Sequence, residues 1–299
     1  MGHSFTVIET GVLTEAQGID QPVPWWSFTK TILAATALVL VRDGRLALDR
    51  SIESRPFTLR QLLQHQSGLV DYGGLAAYHD AVARGDEPWP VSDLLQRTDA
   101  DRLRYEPGQG WSYSNIGYLM VRELIEETVG EDLGAAISRL VLRPLGVDGA
   151  RIARTRAELA GLAMGSASSY HPGWVYHGLA VGPLRDAALL LDRLMTGALL
   201  PPDLLKAMRE GYPVSEPNPQ RPWSRPGCRP AYGLGLMSGI ASSGHQVMGH
   251  TGVGPGSVIA VYHRPDAAPP MTAAAFAFGN DIGQVEEIAL QPRPIPLAN

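Results

Sequence analysis

Residues 27–41 read SFTKTILAATALVLV, a run in which nearly every residue after Lys30 is apolar or small. A run that is apolar all round predicts a helix buried in the protein rather than one with a solvent-facing stripe. Asp43-Gly44 follows directly and supplies a helix stop. The apolar part is about half of the roughly 20 residues needed to cross a bilayer, so the sequence predicts a core helix and not a membrane span.

Ser27 and Lys30 lie three residues apart at the start of this helix, which should place both side chains on one face within roughly 5 to 6 Å. Burial lowers a lysine pKa, and a helix N-terminus stabilises an anion that forms on the serine. The pair therefore indicates an activated nucleophile. The alternative is a serine helix cap followed by a surface lysine, and the apolar run that follows argues against it.

Segments typical of strands lie at both ends of the chain, and segments typical of helices lie between them. Strands are predicted on either side of Gly11 and over residues 232–236, 247–250, 257–263 and 271–278. Helices are predicted over residues 59–64, 116–129, 133–141, 184–195 and 202–210. Residues 151–178 are irregular, and the Pro- and Arg-rich residues 209–230 predict a long surface loop.

This order predicts an α/β (α+β) fold in which an antiparallel sheet is built from both termini around an inserted, mostly helical part. We expect one domain over residues 1–299, with the sheet in roughly 1–45 and 230–299 and the helical part in roughly 46–229. The chain is 44% hydrophobic and 18% charged, which is enough apolar material for a sizeable core.

The composition also argues against several classes of binding partner. The net charge of −5 argues against a nucleic-acid partner, because a phosphate binder normally carries a basic excess. The lone Cys228 cannot form an internal disulfide, and the eight histidines lack the H-x-x-x-H spacing of a metal site. The first residues lack the basic and apolar regions of a signal peptide, so we expect a cytoplasmic location without a membrane partner.

A second element, YEPGQGWSYSNIGY, spans residues 105–118. Tyr113 and Asn115 stand two apart in a loop before a helix, so both can point into a cleft. There a phenol can move a proton and an amide can hold a substrate carbonyl. The alternative is ordinary loop packing.

A third element, GHTGVGPGS, spans residues 249–257 and predicts a strand with few side chains in the way. Its backbone can approach a ligand closely, and a backbone N–H there could serve an oxyanion. No Gly-Lys-Ser or Gly-Lys-Thr triplet is present, which argues against a phosphate loop.

The three elements, in this order and spacing, resemble the serine β-lactamase and penicillin-binding protein family, especially its class C branch with the related esterases and D-aminopeptidases. The phrases LLQHQSGL (62–69), RPLG (143–146) and YGLG (232–235) are also similar to recurrent stretches of that family. The resemblance covers most of the chain.

The resemblance implies acyl transfer in which Ser27 attacks a carbonyl, Lys30 and Tyr113 handle its proton, and water releases the acyl group. Which of Lys30 and Tyr113 is the general base stays open. By the same resemblance, the backbone N–H groups of Ser27 and Val253 would form an oxyanion hole, and Asn115 would contact the substrate amide. His250, Thr251 and Gly252 would line the substrate site, as in the family's triplet at this position. No cofactor and no metal are implied.

The chain departs from the β-lactamase pattern at two points. His250 stands where β-lactamases carry lysine, and an unperturbed histidine is only about a quarter protonated at pH 7. We therefore expect His250 to change the preference for carboxylate-bearing substrates as it titrates near roughly pH 6.5. Little sequence follows Gly279, so we expect the outer face of the sheet to be covered thinly or by a second subunit, which leaves a homo-oligomer open.

Two histidine-containing segments carry open interpretations. We expect His65 to be structural, with a hydrogen bond to backbone near Ser67 and Gly68. Trp174 and His177 belong to an aromatic and histidine cluster within the irregular segment. That cluster is either a wall of the substrate pocket or part of the core.

The sequence thus predicts a serine hydrolase that cleaves a small ester or amide, in the manner of a carboxylesterase or a D-amino-acid amidase or peptidase. The first alternative is a β-lactamase or DD-peptidase that acts on a β-lactam or a related peptide. The second is a non-catalytic sensor that keeps the acyl group.

Overall fold

The structure is a computed structural model that describes residues 3–165, 167, 169–216 and 218–291. Its central feature is an antiparallel sheet of eight strands in the order β2-β1-β11-β10-β9-β8-β7-β6. The strands of this sheet are β1 (Ser4–Glu9), β2 (Val12–Gln17), β6 (Tyr212–Pro213), β7 (Arg229–Tyr232), β8 (Met237–Ile240), β9 (Gln246–Gly254), β10 (Ser257–Arg264) and β11 (Met271–Phe278). The expected sheet made from both termini is confirmed, because β1 pairs directly with β11.

A second sheet holds the start of the first helix. Its three strands are β3 (Val23–Pro24), β4 (Arg151–Ala153) and β5 (Leu179–Gly182), in the order β3-β5-β4. The Trp25 N–H donates to the Ala180 carbonyl at 2.8 Å, and the Ala180 N–H donates to Thr29 Oγ1 at 3.0 Å. This small sheet therefore fixes residues 25–29 against β5.

The helices are α1 (Thr29–Arg42), α2 (Leu59–Leu63), α3 (Ala76–Arg84), α4 (Val91–Arg97), α5 (Asn115–Val129), α6 (Leu133–Ile137), α7 (Leu184–Met195), α8 (Pro202–Arg209) and α9 (Ile282–Leu290). A π-helical turn, Ser138–Leu142, extends α6. Sequence reasoning did not identify α3 and α4, because α3 buries only Ala81 and α4 buries only Leu94, so neither has a clear apolar stripe. As predicted, α1 is buried over nearly its whole length.

The predicted strand over residues 232–236 is wrong. Residues 233–236 instead form the turn between β7 and β8, with Gly235 at a positive φ of 70°. Thr31 Oγ1 donates to the Gly235 carbonyl at 2.7 Å, so the turn packs against α1. A β-carbon on Gly235 would lie 2.5 Å from the Ala34 side chain, which explains why this position needs glycine.

A single nine-residue helix provides most of the cover over the outer face of the sheet, which agrees with the expected thin cover. The outer face of the sheet is covered by α9 and by Trp223, which pack on apolar residues of β1, β10 and β11. The predicted loop over residues 209–230 lies mostly at the surface, although Trp223 is 4% exposed and the Arg221 side chain 14%. The apolar residues of α9 and the Trp223 ring thus belong to one cluster against the sheet.

Candidate active site

Ser27 lies in a one-turn 3₁₀ helix, Trp26–Phe28, that runs directly into α1. Trp26 has a positive φ of 41°, a backbone conformation that a bulky residue adopts only when its surroundings hold it there. The Trp26 indole N–H donates to Ser257 Oγ at 3.0 Å, which anchors this turn to the sheet. The serine is therefore presented from a rigid segment.

Lys30 is fully buried, and its Nζ lies 3.3 Å from Ser27 Oγ, as the spacing predicted. Nζ also contacts Asn115 Oδ1 at 2.7 Å and His177 Nε2 at 3.2 Å. Burial lowers the pKa of Lys30 from 10.5 to about 7, although the negative charge of Asp71 opposes this shift. At neutral pH a large fraction of the amine is therefore unprotonated and able to accept a proton.

Tyr113 and Asn115 are held in place by the segment between α2 and α3. His65 Nδ1 accepts a hydrogen bond from the Ser114 N–H at 3.1 Å, and Asp71 Oδ1 accepts one from the Asn115 N–H at 2.8 Å. Ser114 caps α5, because its Oγ accepts from the Gly117 N–H at 3.0 Å. The backbone N–H groups of Ser114 and Asn115 are thus both fixed by hydrogen bonds.

This placement confirms that His65 is structural but corrects its partner. Its ring contacts the backbone of Ser114 rather than that of Ser67 or Gly68. His65 adopts a positive φ of 59°, which turns the ring towards Tyr113, whose ring centroid is 4.3 Å away.

Tyr113 lines the same cavity as Ser27, and the Lys30 amine lies 4.9 Å from the centroid of the Tyr113 ring. Burial raises the pKa of Tyr113 well above 10, and the interaction of the phenol with the Ser27 side chain offsets only part of that rise. Tyr113 is therefore a neutral phenol at pH 7, suited to donating a proton rather than removing one.

Strand β9 passes directly against the serine. A β-carbon on Gly252 would lie 2.6 Å from the Trp25 carbonyl and 2.9 Å from the Ser27 backbone nitrogen, so only glycine allows this approach. Val253 follows on the same strand and is 42% exposed. The glycines of this segment thus bring the strand close to Ser27.

His250 also lies on β9 but differs from the sequence expectation in its charge. Its Nδ1 contacts the Thr251 carbonyl and its Nε2 contacts the Tyr232 hydroxyl, both at 2.8 Å. Burial and the positive charge of Lys30 lower the pKa of His250 to about 3. The ring is therefore neutral across the physiological range, and the expected titration near pH 6.5 is wrong.

An ion-pair network lies behind Thr251. Thr251 Oγ1 donates to Glu286 Oε1 at 2.5 Å, and the fully buried Glu286 forms a salt bridge with Arg221. Arg221 also pairs with Glu216 at 2.5 Å. Burial opposes the charge of Arg221, but its hydrogen bond and charge interactions with Glu286 raise its pKa above the usual range. The three charged side chains together carry a net charge of −1.

These elements enclose a cavity of about 460 Å³. Ser27, Tyr113, Asn115, His250, Thr251 and Val253 line it, as the sequence interpretation requires. Gly252, which was also expected to line it, does not, because it lies against the backbone of residues 25–27. Sequence reasoning did not identify the rest of its lining, which consists of Trp111, Val214, Ser215, Glu216, Arg221, Trp223, Pro230, Ala231, Tyr232, Met237, Ser238 and Ile282. Among these additional residues, only Trp111 and Tyr232 belong to motifs quoted from the sequence. Most of the others come from the 209–230 segment, in which no motif was recognised.

Trp174 and His177 are not walls of this cavity. Trp174 is 1% exposed, donates its indole N–H to the Asp86 carbonyl at 3.1 Å and packs among the aromatic rings of the helical part. The pocket interpretation of Trp174 is therefore wrong, because the helical core buries its ring. His177 is 2% exposed and lies beside Lys30 instead of facing the cavity.

The described residues offer neither a metal-binding cluster nor a membrane-spanning helix. Among these residues, no group of three or more His, Cys, Asp or Glu is arranged to hold a metal ion. In the same part of the chain, no helix is both long and apolar enough to span a membrane.

Comparison with known proteins gives a consistent set of relatives. The family model described as Beta-lactamase matches residues 4–283. Esterase EstB of Burkholderia gladioli is 32% identical over 141 residues, which are 40% of this chain and 36% of that protein. A D-aminopeptidase of Brucella anthropi is 30% identical over 142 residues, which are 45% of this chain and 27% of that protein.

The matched stretches therefore span about a third of these curated relatives. The fold has a much more complete counterpart, a D-stereospecific amidohydrolase from Streptomyces sp., with a TM-score of 0.80 and 24% identity. That likeness covers 98% of this chain and 94% of the other.

Proposed function

The chain belongs to the beta-lactamase family, and we propose that it is a serine hydrolase that cleaves a small ester or amide through an acyl-enzyme on Ser27. The observation that carries the proposal is the 3.3 Å contact between Ser27 Oγ and a fully buried lysine amine. A buried amine that is partly neutral at pH 7 is a competent base for a serine hydroxyl.

In the proposed reaction, Ser27 Oγ attacks the substrate carbonyl as its proton passes to Lys30 Nζ. The Tyr113 phenol, close to the same oxygen, donates a hydrogen bond and assists proton delivery to the leaving alcohol or amine. Water then attacks the acyl carbonyl, and the acid product leaves as Ser27 regains its proton. The high pKa of Tyr113 and the low pKa of Lys30 support Lys30 as the base.

The tetrahedral oxyanion would be stabilised by the backbone N–H groups of Ser27 and Val253. The close approach of β9 to residue 27 at Gly252 supports this role, since it brings the two backbones together. Asn115 is proposed to contact the substrate amide while its Oδ1 accepts from Lys30.

The cavity supports a neutral acyl group as the substrate. Its wall is largely apolar, His250 is uncharged, and Arg221 is already paired with two carboxylates. No free cation among the described lining residues is therefore available to hold the carboxylate of a β-lactam. The names of the esterase and D-aminopeptidase relatives agree with a small ester or amide.

The nucleophile can be tested with a fluorophosphonate probe followed by peptide mapping. We expect labelling at Ser27 and loss of p-nitrophenyl ester hydrolysis in Ser27→Ala. Ser238→Ala, which changes a second serine of the same cavity, is the matched control and should remain active. Labelling elsewhere, or an active Ser27→Ala variant, contradicts the proposal.

A chromogenic cephalosporin tests the alternative that the protein is a β-lactamase rather than an esterase or amidase. Faster turnover of the cephalosporin than of the ester would favour a β-lactamase, and a stoichiometric adduct without turnover would favour a sensor. A cytoplasmic location and a homo-oligomer stay predictions from the sequence, to be checked by cell fractionation and by mass photometry.

A further inference from the structure

We propose that His177 is a positioning residue that accepts a hydrogen bond from Lys30 Nζ and so directs the lone pair of the neutral amine at Ser27. This inference rests on the proposed function. Its evidence begins with the contacts of the amine, which lies within 3.3 Å of three polar atoms: Ser27 Oγ, Asn115 Oδ1 and His177 Nε2.

The donor and acceptor count of an amine restricts how these contacts can be used. A neutral amine has two N–H groups and one lone pair, whereas an ammonium has three N–H groups. Asn115 Oδ1 can only accept. If His177 Nε2 also accepts, both N–H groups are used and the lone pair is left for the Ser27 hydroxyl. When the serine proton moves to Nζ, the resulting ammonium has three N–H groups for three acceptors.

The state of His177 fits that role. Burial, together with the positive charge of Lys30, keeps the pKa of His177 well below 6.5, so the ring is neutral and has one free ring nitrogen. Nδ1 is buried without a hydrogen-bond partner among the described residues. An unpaired buried polar atom is destabilising, so an imidazole here is poorly explained by packing alone.

The fold delivers His177 to this position through β5. The residue lies two positions before that strand, which the Trp25 and Thr29 hydrogen bonds fix against the start of α1. The imidazole and the amine, 147 positions apart in sequence, are therefore held by the same small sheet.

Other titratable or charged groups also face this pair. Those that act on Lys30 are Asp71, His65, Tyr113, Tyr118 and His250. Those that act on His177 besides Lys30 are His65, His250, Arg122 and Tyr118. Because none of them is altered in the variants below, their influence is constant across the comparison.

The chain contains two lysines, Lys30 and the exposed Lys206, so the lysine side-chain NMR signals can be assigned with the single variant Lys206→Arg. The test compares His177→Leu with His177→Gln, since the end of a glutamine side chain can replace Nε2 as an acceptor. His171→Leu is the control, because the ring nitrogens of His171 contact Gly173 and Glu87.

We expect the Lys30 pKa to fall by about one unit in His177→Leu, because the ammonium loses one acceptor. The acid limb of kcat/KM should move down with it, and its plateau should fall about 10- to 100-fold. His177→Gln should restore most of the Lys30 pKa and most of the kcat/KM plateau. His171→Leu should match the native protein in both quantities.

A folded His177→Leu protein with an unchanged Lys30 pKa overturns the inference, as does a His177→Gln variant no better than leucine. The NMR titration needs no substrate. Absence of hydrolysis in the native protein would therefore count against the proposed function alone and would leave the test of His177 intact.

Discussion

Lys30 is an ionisable side chain that the fold buries completely, and its burial lowers the stability of the folded protein when the amine is charged. Its pKa of about 7 in the folded protein, against 10.5 without burial, means that folding disfavours the charged form. Below pH 7 the lysine is charged in both states and the full penalty applies. Above pH 7 the folded protein releases the proton first, so the penalty shrinks and disappears above pH 10.5.

Lys30→Met should reveal this penalty as a difference in pH dependence. Each pH unit within the window contributes about 1.4 kcal/mol, less near its ends, so the native protein should gain about 2 kcal/mol over the variant between pH 7 and 9. Urea unfolding of both proteins at each pH measures it. Parallel stability curves would show that the lysine keeps an ordinary pKa in the fold.

At the scale of an element, α9 both covers the outer face of the sheet and supports residues of the cavity wall. Its apolar residues pack on β10 and β11, while Glu286 reaches Thr251 on β9 and Arg221 in the 209–230 segment. Replacing Glu286 leaves the buried guanidinium of Arg221 with Glu216 as its remaining carboxylate partner. Loss of one member of a buried ion pair is strongly destabilising.

We expect Glu286→Gln to lower the free energy of unfolding by about 3 kcal/mol or more. The neighbouring Glu287→Gln is the matched control, since Glu287 pairs with Arg225 at the surface, and its loss should cost less than about 1 kcal/mol. Chemical denaturation at pH 7 compares the two. Similar small losses would mean that the Glu286 carboxylate is not needed to hold Arg221.

At the scale of the whole molecule, the cavity lies where the inserted helical part meets the sheet. Ser27 and Asn115 come from the helical side, His250 and Val253 from β9, and Arg221 from the long connection between β6 and β7. The charge that a substrate meets is therefore set by all of these segments together, and the Arg221 network adds −1 to it.

This charge balance predicts a preference that a pair of esters of equal length can measure. A neutral p-nitrophenyl acyl ester should show a kcat/KM about tenfold or more above that of the analogue ending in a carboxylate. Both values should fall by the same factor below pH 7, because Lys30 must be neutral to act as the base. Their ratio should therefore change little between pH 6 and 8, since His250 does not titrate there. A faster reaction of the anionic ester would show that Arg221 is free to bind a carboxylate.

The local and periodic features of this protein could be predicted from its sequence. The apolar run of α1, the bounds of α7 and the strand Met271–Phe278 follow from periodicity and composition, because these act over a few neighbouring residues. The proximity of Ser27 and Lys30 follows from helix spacing in the same way.

Which distant groups meet, and what charge they carry, depends on the folded chain as a whole. His177 reaches Lys30 across 147 positions, Glu286 reaches Arg221 across 65, and Trp174 is enclosed by the helical core rather than by the cavity. Burial, which no local pattern measures, keeps His250 neutral and makes Lys30 titrate near pH 7. Desolvation depends on everything packed around a group, so the protonation states in this cavity could not be deduced from the chain alone.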